Sequence, residues 1–538
     1  MGNWLAWHAV WPKKAHFLPY FADFFDRSAA TAYKNPRRLA KNGHFFVSDA
    51  TTQKRHKLFT DMRVTPVVLL DQNFNAFYTI EKYTNLPIFT ANIIGNGLGA
   101  TTLTSYKKIK MEQYGKILLI AMPTFLVLVM MEKLYGVLRG RDTYRNMDLI
   151  ASLSSGITNV VKDILGLSVS ILAYGWLVSK VAVFHLESSV LIYAVAFVAL
   201  DFSGYCSHRI AHSVNFFWNK HAIHHSSEDF NLACALRQSV SSFVNMFTIF
   251  LLPAAVLGVP GAVIGVVAPL HLFAQFWYHT QHIGKMGFLE HIIVTPSHHR
   301  VHHAINPAYI DKNHGQIFIF WDKLFGTFQA ELPEMPPVFG VTRPVKTWNP
   351  IKINFQHLWL LVQDAWRAEA WRDKWRIWFM PTGWRPSDVA SRYPLDTIED
   401  IDQYKKYEPK TSNMLKGWSL IQMLATFIFV LYFFSNIALI STPGIYYYGA
   451  FIFLSVYAYT EIMDCNPMAL FWELLKNGFG LAVVWQTGDW FGLEGLMSGG
   501  KGVVVGWFAV TSLVTAYFVF GEIRRSSRGE DGVVLWRL

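Results

Sequence analysis

The chain has 538 residues, of which 52% are hydrophobic, 16% aromatic and only 16% charged, with a formal net charge of +11. A soluble domain carries about 25% charged residues, so this composition excludes an ordinary water-soluble fold and points to a membrane protein. In a membrane protein an excess of Lys and Arg marks the cytosolic face, and with no recognisable nucleic-acid module in the chain, nucleic acid is excluded as a partner.

In chain order, residues 1–110 form a basic N-terminal extension without a spanning segment. Ile117–Met131 is the first predicted span. Residues 146–162 have mixed polarity, which fits a crossing or a surface position equally. Ile164–Phe184 and Val190–Ser207 are predicted as a second and third span, joined as a hairpin by HLESS. Phe243–Tyr278 exceeds the roughly 20 residues of one span. Gly258-Val259-Pro260-Gly261 is expected to break it into two shorter helices that enter the membrane and return. Leu358–Phe379 interleaves Trp359, Trp366, Trp371, Trp375 and Trp378 with Arg367, Arg372, Lys374 and Arg376. Such a helix suits the membrane interface or a soluble amphipathic position against the core. Four further apolar segments follow, at about 415–435, 439–460, 468–487 and 503–521, flanked by Lys405, Lys406, Lys410 and Lys416 and by Arg524, Arg525 and Arg528. Four crossings return the chain to its starting side, which the basic flanks make cytosolic. The expected fold is an all-α integral membrane protein, a multi-span helical bundle. Its parts are the extension 1–110, a catalytic membrane domain 111–350, a Trp-rich interfacial segment 351–410 and C-terminal membrane helices 411–538. Cys206, Cys234 and Cys465 form no C-x-x-C pair, so neither a disulfide framework nor a cysteine zinc site is indicated.

The 20 histidines are not evenly spread. HRIAH holds His208 and His212; HAIHH holds His221, His224 and His225; HHRVHH holds His298, His299, His302 and His303. Residues at i, i+3 and i+4 share one helix face, so each group aims its imidazoles one way. Converging neutral imidazoles lose their hydration at a high cost unless something binds them. Transition metals bind imidazole, with Fe, Zn, Cu or Ni all suited. Eight ligands exceed the need of one metal, so two metals are expected. The predicted hairpins bring all three groups to one membrane face, and Arg209, Lys220, Arg237 and Arg300 favour the cytosolic side. His279, in QFWYHTQH, closes the returning hairpin within reach of this site; His282 and His314 stay open between ligand and surface. His271 reads as a core histidine. No H-E-x-x-H occurs, which excludes a zinc metalloprotease of that type. Asp201, seven residues before His208, is placed either to orient a ligand imidazole or to bond another helix. Glu228 and Asp229 follow HHSS and either cap a helix or act near the metals, with Glu228 favoured because three residues return it to the face of His225.

In this order HRIAH, HAIHH and HHRVHH resemble the fatty acid hydroxylase superfamily of membrane-bound di-iron hydroxylases and desaturases. The segments HHSSEDFNL and ALRQS, with QFWYHT and TPSHHRVHHAINPAYIDKNHG, are similar to its alkylglycerol monooxygenase group. The likeness runs from about residue 115 to 350, is weak over the C-terminal spans and departs at His314, where the animal enzymes carry Tyr. It implies an O2-dependent oxidoreductase with two iron ions held by His208, His212, His221, His224, His225, His299, His302 and His303, with His279 and His298 added. It further implies tetrahydrobiopterin as a reductant in the animal enzymes, and hydroxylation of the ether-linked carbon of an alkylglycerol. The resulting hemiacetal collapses to a fatty aldehyde and a glycerol derivative. No Rossmann G-x-G-x-x-G stands out, so an external electron donor is expected. The sister reaction on the same centre is hydroxylation or desaturation of a sterol, a fatty acyl chain or a carotenoid. A histidine-rich metal transporter would instead place its ligands mid-membrane on repeated helices. The compartment is the endoplasmic reticulum for a eukaryotic source and the inner membrane for a bacterial one.

Overall fold

The computed structural model describes residues 98–524, positions 171 and 246 excepted. Most of the predicted N-terminal extension, and Arg525 and Arg528, lie outside these residues. Regular structure among the described residues is almost entirely helical. The order is α1 (Leu98–Leu138), α2 (Asn146–Ile164), β1 (Val169–Ser170), α3 (Tyr174–Val181), α4 (Val190–Ser213), α5 (Asn215–His225), β2 (Val244–Asn245), α6 (Leu252–Val256) and α7 (Gly261–Phe273). Then come α8 (Pro296–His302), α9 (Phe320–Leu324), α10 (Pro350–Arg367), α11 (Trp371–Arg376), α12 (Ser387–Arg392), α13 (Asn413–Asn436), α14 (Thr442–Met463), α15 (Ala469–Thr487), α16 (Leu493–Leu496) and α17 (Gly500–Phe518). The two short strands pair in parallel, Val169 opposite Val244.

Among the described residues, four segments are long and apolar enough to cross a membrane: Glu112–Leu138, Val190–Ser213, Asn413–Asn436 and Gly500–Ile523. The chain is a multi-span membrane protein. Serines start three of its long helices: Ser189, Ser412 and Ser441 each accept a backbone N–H three residues on, at 3.4, 3.1 and 3.2 Å. Such caps satisfy one of the donors that a helix start leaves open.

The second predicted span does not form. Leu165 ends α2, Gly166 turns left-handed at φ 64°, and the remaining apolar residues supply only β1 and the eight-residue α3. Hydropathy registers apolar composition but not a backbone that reverses at a glycine. The segment 243–278 breaks as expected, though its longest helix, α7, has only 13 residues, too short to span. Residues 146–162 lie in α2, whose inner face is buried among α1, α13 and α14. All four predicted C-terminal segments are helical, but α14 and α15 fall short of the spanning criterion among the described residues. The Trp-rich stretch is two helices, α10 and α11, parted at Ala368.

The two largest apolar cores among the described residues hold these elements. Leu118, Met147, Ile157, Phe433, Tyr448 and Phe508 join α1 and α2 to the C-terminal helices. Ile192, Ala196, Ala254, Val263 and Val267 join α4 to α6 and α7. The second core depends on Gly258. At φ 75°, a Cβ there would lie 1.8 Å from the Phe184 carbonyl oxygen. Gly258→Ala therefore adds left-handed strain of about 1–3 kcal/mol to a backbone clash. A clearly lower thermal midpoint of the solubilised protein is expected, and an unchanged midpoint would contradict this packing.

The corner between α4 and α5 brings the first two histidine groups together. Val214 is extended, at φ −127° and ψ 126°, and separates the two helices. Asn215 N–H donates to Met380 O at 3.0 Å, and Asn215 Nδ2 donates to Ile377 O at 3.0 Å. The segment after α11 thus props the turn that folds α5 back on α4.

Candidate metal centre

Nine histidines gather into two groups. His208, His212, His221, His225 and His302 each offer one ring nitrogen, all within 4.8 Å of one another. His224, His279, His299 and His303 form the second group by the same measure. Each H-x-x-H-H motif divides between them. His221 and His225 enter the first group while His224 enters the second; His299 and His303 enter the second while His302 enters the first. The i, i+4 pair of each motif serves one group, and the residue beside it crosses to the other.

The ring nitrogens fit a cation. Burial lowers the pKa of His221, His225, His279, His299, His302 and His303 well below the ordinary histidine range, and that of His224 to about 3, with neighbouring imidazoles adding to the effect. These rings are neutral at pH 7, and a neutral ring carries one N–H. Backbone carbonyls take that proton on Nδ1. His224 donates to Arg237 O at 3.3 Å, His279 to Gln275 O at 3.1 Å, His208 to His314 O at 2.9 Å and His302 to Lys312 O at 2.8 Å. The Nε2 atoms of these rings are then bare acceptors. Nε2 of His224 and of His279 face each other at 3.4 Å, and Nε2 of His302 is buried without a partner. Lone pairs that converge without donors repel, and a bound metal removes the conflict. Outer carbonyls that fix the tautomer are the usual companions of metal-binding histidines.

The supporting frame of this centre comes from the residues after HAIHH. Arg237, 2% exposed, donates to Ser152 Oγ, Ser226 Oγ and Asp148 Oδ2 at 2.9, 2.8 and 2.9 Å. Ser227 Oγ donates to the other Asp148 oxygen at 2.7 Å. Asp148, on α2, thereby ties HHSS and ALRQS together behind His224. Phe230, fully buried, stacks on the His279 ring with centroids 5.8 Å apart and packs against His303 at 5.2 Å. The loop after α8 closes the other side. Besides its carbonyls on His302 and His208, it sets Asp311 Oδ1 3.3 Å from His212 Nδ1. Asp322 shapes that loop by accepting from the His314 and Gly315 N–H groups, both at 2.7 Å.

Five residues singled out in the sequence lie outside both groups. His298 joins neither group; its Nδ1 accepts the Thr295 N–H at 3.4 Å in the capping box that starts α8. The turn of α8 that aims His299, His302 and His303 inward leaves His298 at its N-terminal edge, against Phe328. Asp201 orients no ligand of the two groups. It accepts from His271 Nε2, Ile317 N and Trp321 Nε1, each at 2.8 Å, which is the alternative of a bond to another helix. Glu228 does not reach the histidine nitrogens, because α5 ends at His225 and the chain turns away. Its carboxylate accepts from the Tyr404 hydroxyl, from Tyr407 N–H at 2.7 Å and from Arg145 at 3.2 Å. His314 contributes its carbonyl to His208 rather than a ring nitrogen to either group. His282 packs against Tyr135, also outside both groups.

Glu228→Ala is therefore expected to loosen the segment 404–407 and leave the metal content intact. Each hydrogen bond to a charged group contributes about 1.5–3 kcal/mol, so faster proteolysis near Tyr404 is expected. Loss of metal in this variant would contradict the assignment.

Asp148, Arg237, Asp311 and Asp322 carry no metal-site spacing and were not singled out by sequence as parts of the centre. The one available signal was Asp148, a carboxylate in a helix of mixed polarity that needs a partner if buried.

Residues 193–327 match the fatty acid hydroxylase family. The chain is 34% identical over 358 residues to alkylglycerol monooxygenase of Homo sapiens, covering 66% of this chain and 80% of the human protein. It is 30% identical to the Xenopus tropicalis protein of the same name, over 65% of this chain and 78% of that one. For the Danio rerio protein of that name the values are 32%, 66% and 79%.

The chain belongs to the alkylglycerol monooxygenase-like branch of the fatty acid hydroxylase family.

No solved structure matches it. Membership makes it a membrane-bound lipid-modifying oxidoreductase, and it gives the two histidine groups their context as a metal site. A family that acts on lipid needs an apolar approach to that site, and a cavity of ≈ 530 Å³ supplies one. It is lined by His221, His224, His279 and His299. Lys220, Gln238 and Gln275 line it close to them: Lys220 precedes His221, Gln238 follows Arg237, and the Gln275 carbonyl holds His279. Met122, Phe125, Leu126, Met423 and Phe427 add apolar lining, and Tyr114, Asn159 and Asp163 further polar lining.

Proposed function

We propose that the chain is a di-iron monooxygenase that cleaves the O-alkyl ether bond of alkylglycerols, releasing a fatty aldehyde and a glycerol derivative. The observation that carries this reading is that the histidines line one cavity that also has polar and apolar walls. An alkylglycerol with its chain among Met122, Phe125 and Phe427 and its glycerol beside Lys220, Gln238 and Gln275 would bring the ether-linked carbon to the histidines.

One ion would be held by His208, His212, His221, His225 and His302, the other by His224, His279, His299 and His303. Imidazole donors suit iron, and bound iron would supply the activation of O2 that attack on a C–H bond requires. The protein's own part is orientation. Carbonyls of Arg237, Gln275, Lys312 and His314 keep Nε2 of four rings free, and the apolar walls hold the chain and exclude water. Once the ether carbon bears a hydroxyl, the product is a hemiacetal. Moving its hydroxyl proton to the glycerol oxygen breaks the C–O bond and leaves aldehyde and alcohol. Electrons come from an external donor, for which tetrahydrobiopterin is the first reductant to try.

The basic residues before α13 support a cytosolic face for the site, in the endoplasmic reticulum or, for a bacterial source, the inner membrane. Residues 111–350 would form the catalytic domain. Trp366 and Trp371, 85% and 74% exposed, support a place at the membrane surface for residues 351–410.

Membranes carrying the chain, given an alkylglycerol, O2 and tetrahydrobiopterin, are expected to release fatty aldehyde, and chelation of iron is expected to stop it. Absence of aldehyde with every reductant tried, or a hydroxylated or desaturated sterol or acyl product in its place, would contradict the reading.

A further inference from the structure

The cavity is walled in part by α1 and α13, two helices long and apolar enough to span the membrane. Both lie outside residues 193–327, which carry the family match. They meet at Gly115, where a Cβ would lie 3.2 Å from the Phe434 carbonyl oxygen. Seven residues along α1 from Gly115 is Met122; seven residues back along α13 from Phe434 is Phe427. Seven residues are two helical turns, about 10 Å, so these positions share a face with the contact point and lie on one level beyond it. Met122, Leu126, Met423 and Phe427 line the cavity there. Their neighbours Ile120 and Val127 on α1, and Leu424 and Ile428 on α13, are exposed apolar residues on membrane-spanning helices. The same cavity is lined by His221, His224, His279 and His299.

We propose that this cleft is a lateral portal through which a single-chain lipid reaches the metal centre from the bilayer, its tail remaining between α1 and α13. Met122 and Phe427, with Leu126 and Met423 behind them, form the gate. The occupant is one flexible alkyl chain, because Met122, Leu126, Met423 and Phe427 wall this level with apolar side chains. A tail that trails into the bilayer is not measured by the protein, so chain length beyond the gate is not discriminated. Closing the gate creates a limit that the native protein lacks. The identity of the head rests on the ether-lipid reading above; the portal does not.

The test uses the full-length protein in lipid nanodiscs and an octadecyl ether lipid with a diazirine at the end of its chain. After irradiation, label is expected on peptides from 115–130 and 420–430, displaced by excess unlabelled lipid. Met122→Trp and Phe427→Trp are expected to lower labelling there. They are also expected to lower the ratio of octadecyl to decyl substrate turnover at least about tenfold, the scale at which pocket sterics discriminate chains. Their metal content at the native level shows that each variant is folded. Label elsewhere, or Trp variants of native metal content with an unchanged chain-length ratio, overturns the portal. Labelling at the gate in a protein that cleaves no ether with any reductant sustains the portal and removes the ether-lipid reading instead.

Discussion

His303→Ala is expected to abolish turnover and remove bound iron, whereas His298→Ala is expected to keep both near the native level. The two residues are five apart in one motif and both are buried, so hydropathy and spacing treat them alike. Geometry separates them. His303 Nε2 stands 3.1 Å from Nε2 of His224 and of His299, at the centre of the second group. Removing it leaves three donors, too few to hold an ion against water with full occupancy. His298 faces Thr295 and Phe328. Its loss takes one side of a capping box, a cost of about 1 kcal/mol. Iron per chain by elemental analysis, read beside aldehyde release, checks both. Loss of iron in His298→Ala would mean that the centre is arranged differently.

The second large effect is expected at a residue that holds no metal. Asp148→Ala leaves the Arg237 guanidinium buried without its carboxylate, which costs about 3–5 kcal/mol. Arg237 also supplies the carbonyl that orients His224, and Ser227 loses its acceptor on the same carboxylate. A companion group of this kind typically alters metal affinity by about 10–100-fold. The expected result is a lower thermal midpoint together with faster loss of iron to a chelator. Asp148→Asn, which still accepts from Ser227 or Arg237, should fall between native and Ala. A variant that melts earlier but keeps its iron as tightly as the native chain would show that Asp148 stabilises the fold alone.

How much of this could be read from the chain varies with the physics involved. The histidine groups were legible because imidazoles repeat at helical spacing, and a periodicity survives folding unchanged. Which ion each histidine serves was not legible: neighbouring positions on a helix differ by about 100°, enough for His224 and His225 to face different partners. The spans Val190–Ser207 and 415–435 were legible from uninterrupted apolar length. Ile164–Phe184 was equally apolar and failed, since the left-handed turn at Gly166 and the pairing of β1 with β2 are not properties of hydropathy. Carboxylates were the least legible. Asp201 and Glu228 sit close in sequence to histidine groups, yet their charge is used to fasten other segments: Asp201 the 317–321 turn, Glu228 the 404–407 strand of chain. Asp148, far in sequence, does the work near His224. Long-range pairing decides those roles, and a single sequence does not display it.

The central claim is that nine histidines hold two ions. Iron bound per chain, measured on the full-length protein purified in a membrane mimetic and reconstituted anaerobically with ferrous iron, tests it most directly. Two irons per chain are expected, falling to fewer than two in both His302→Ala and His303→Ala. A native value of one or none, or a metal content unmoved by either substitution, would contradict the account.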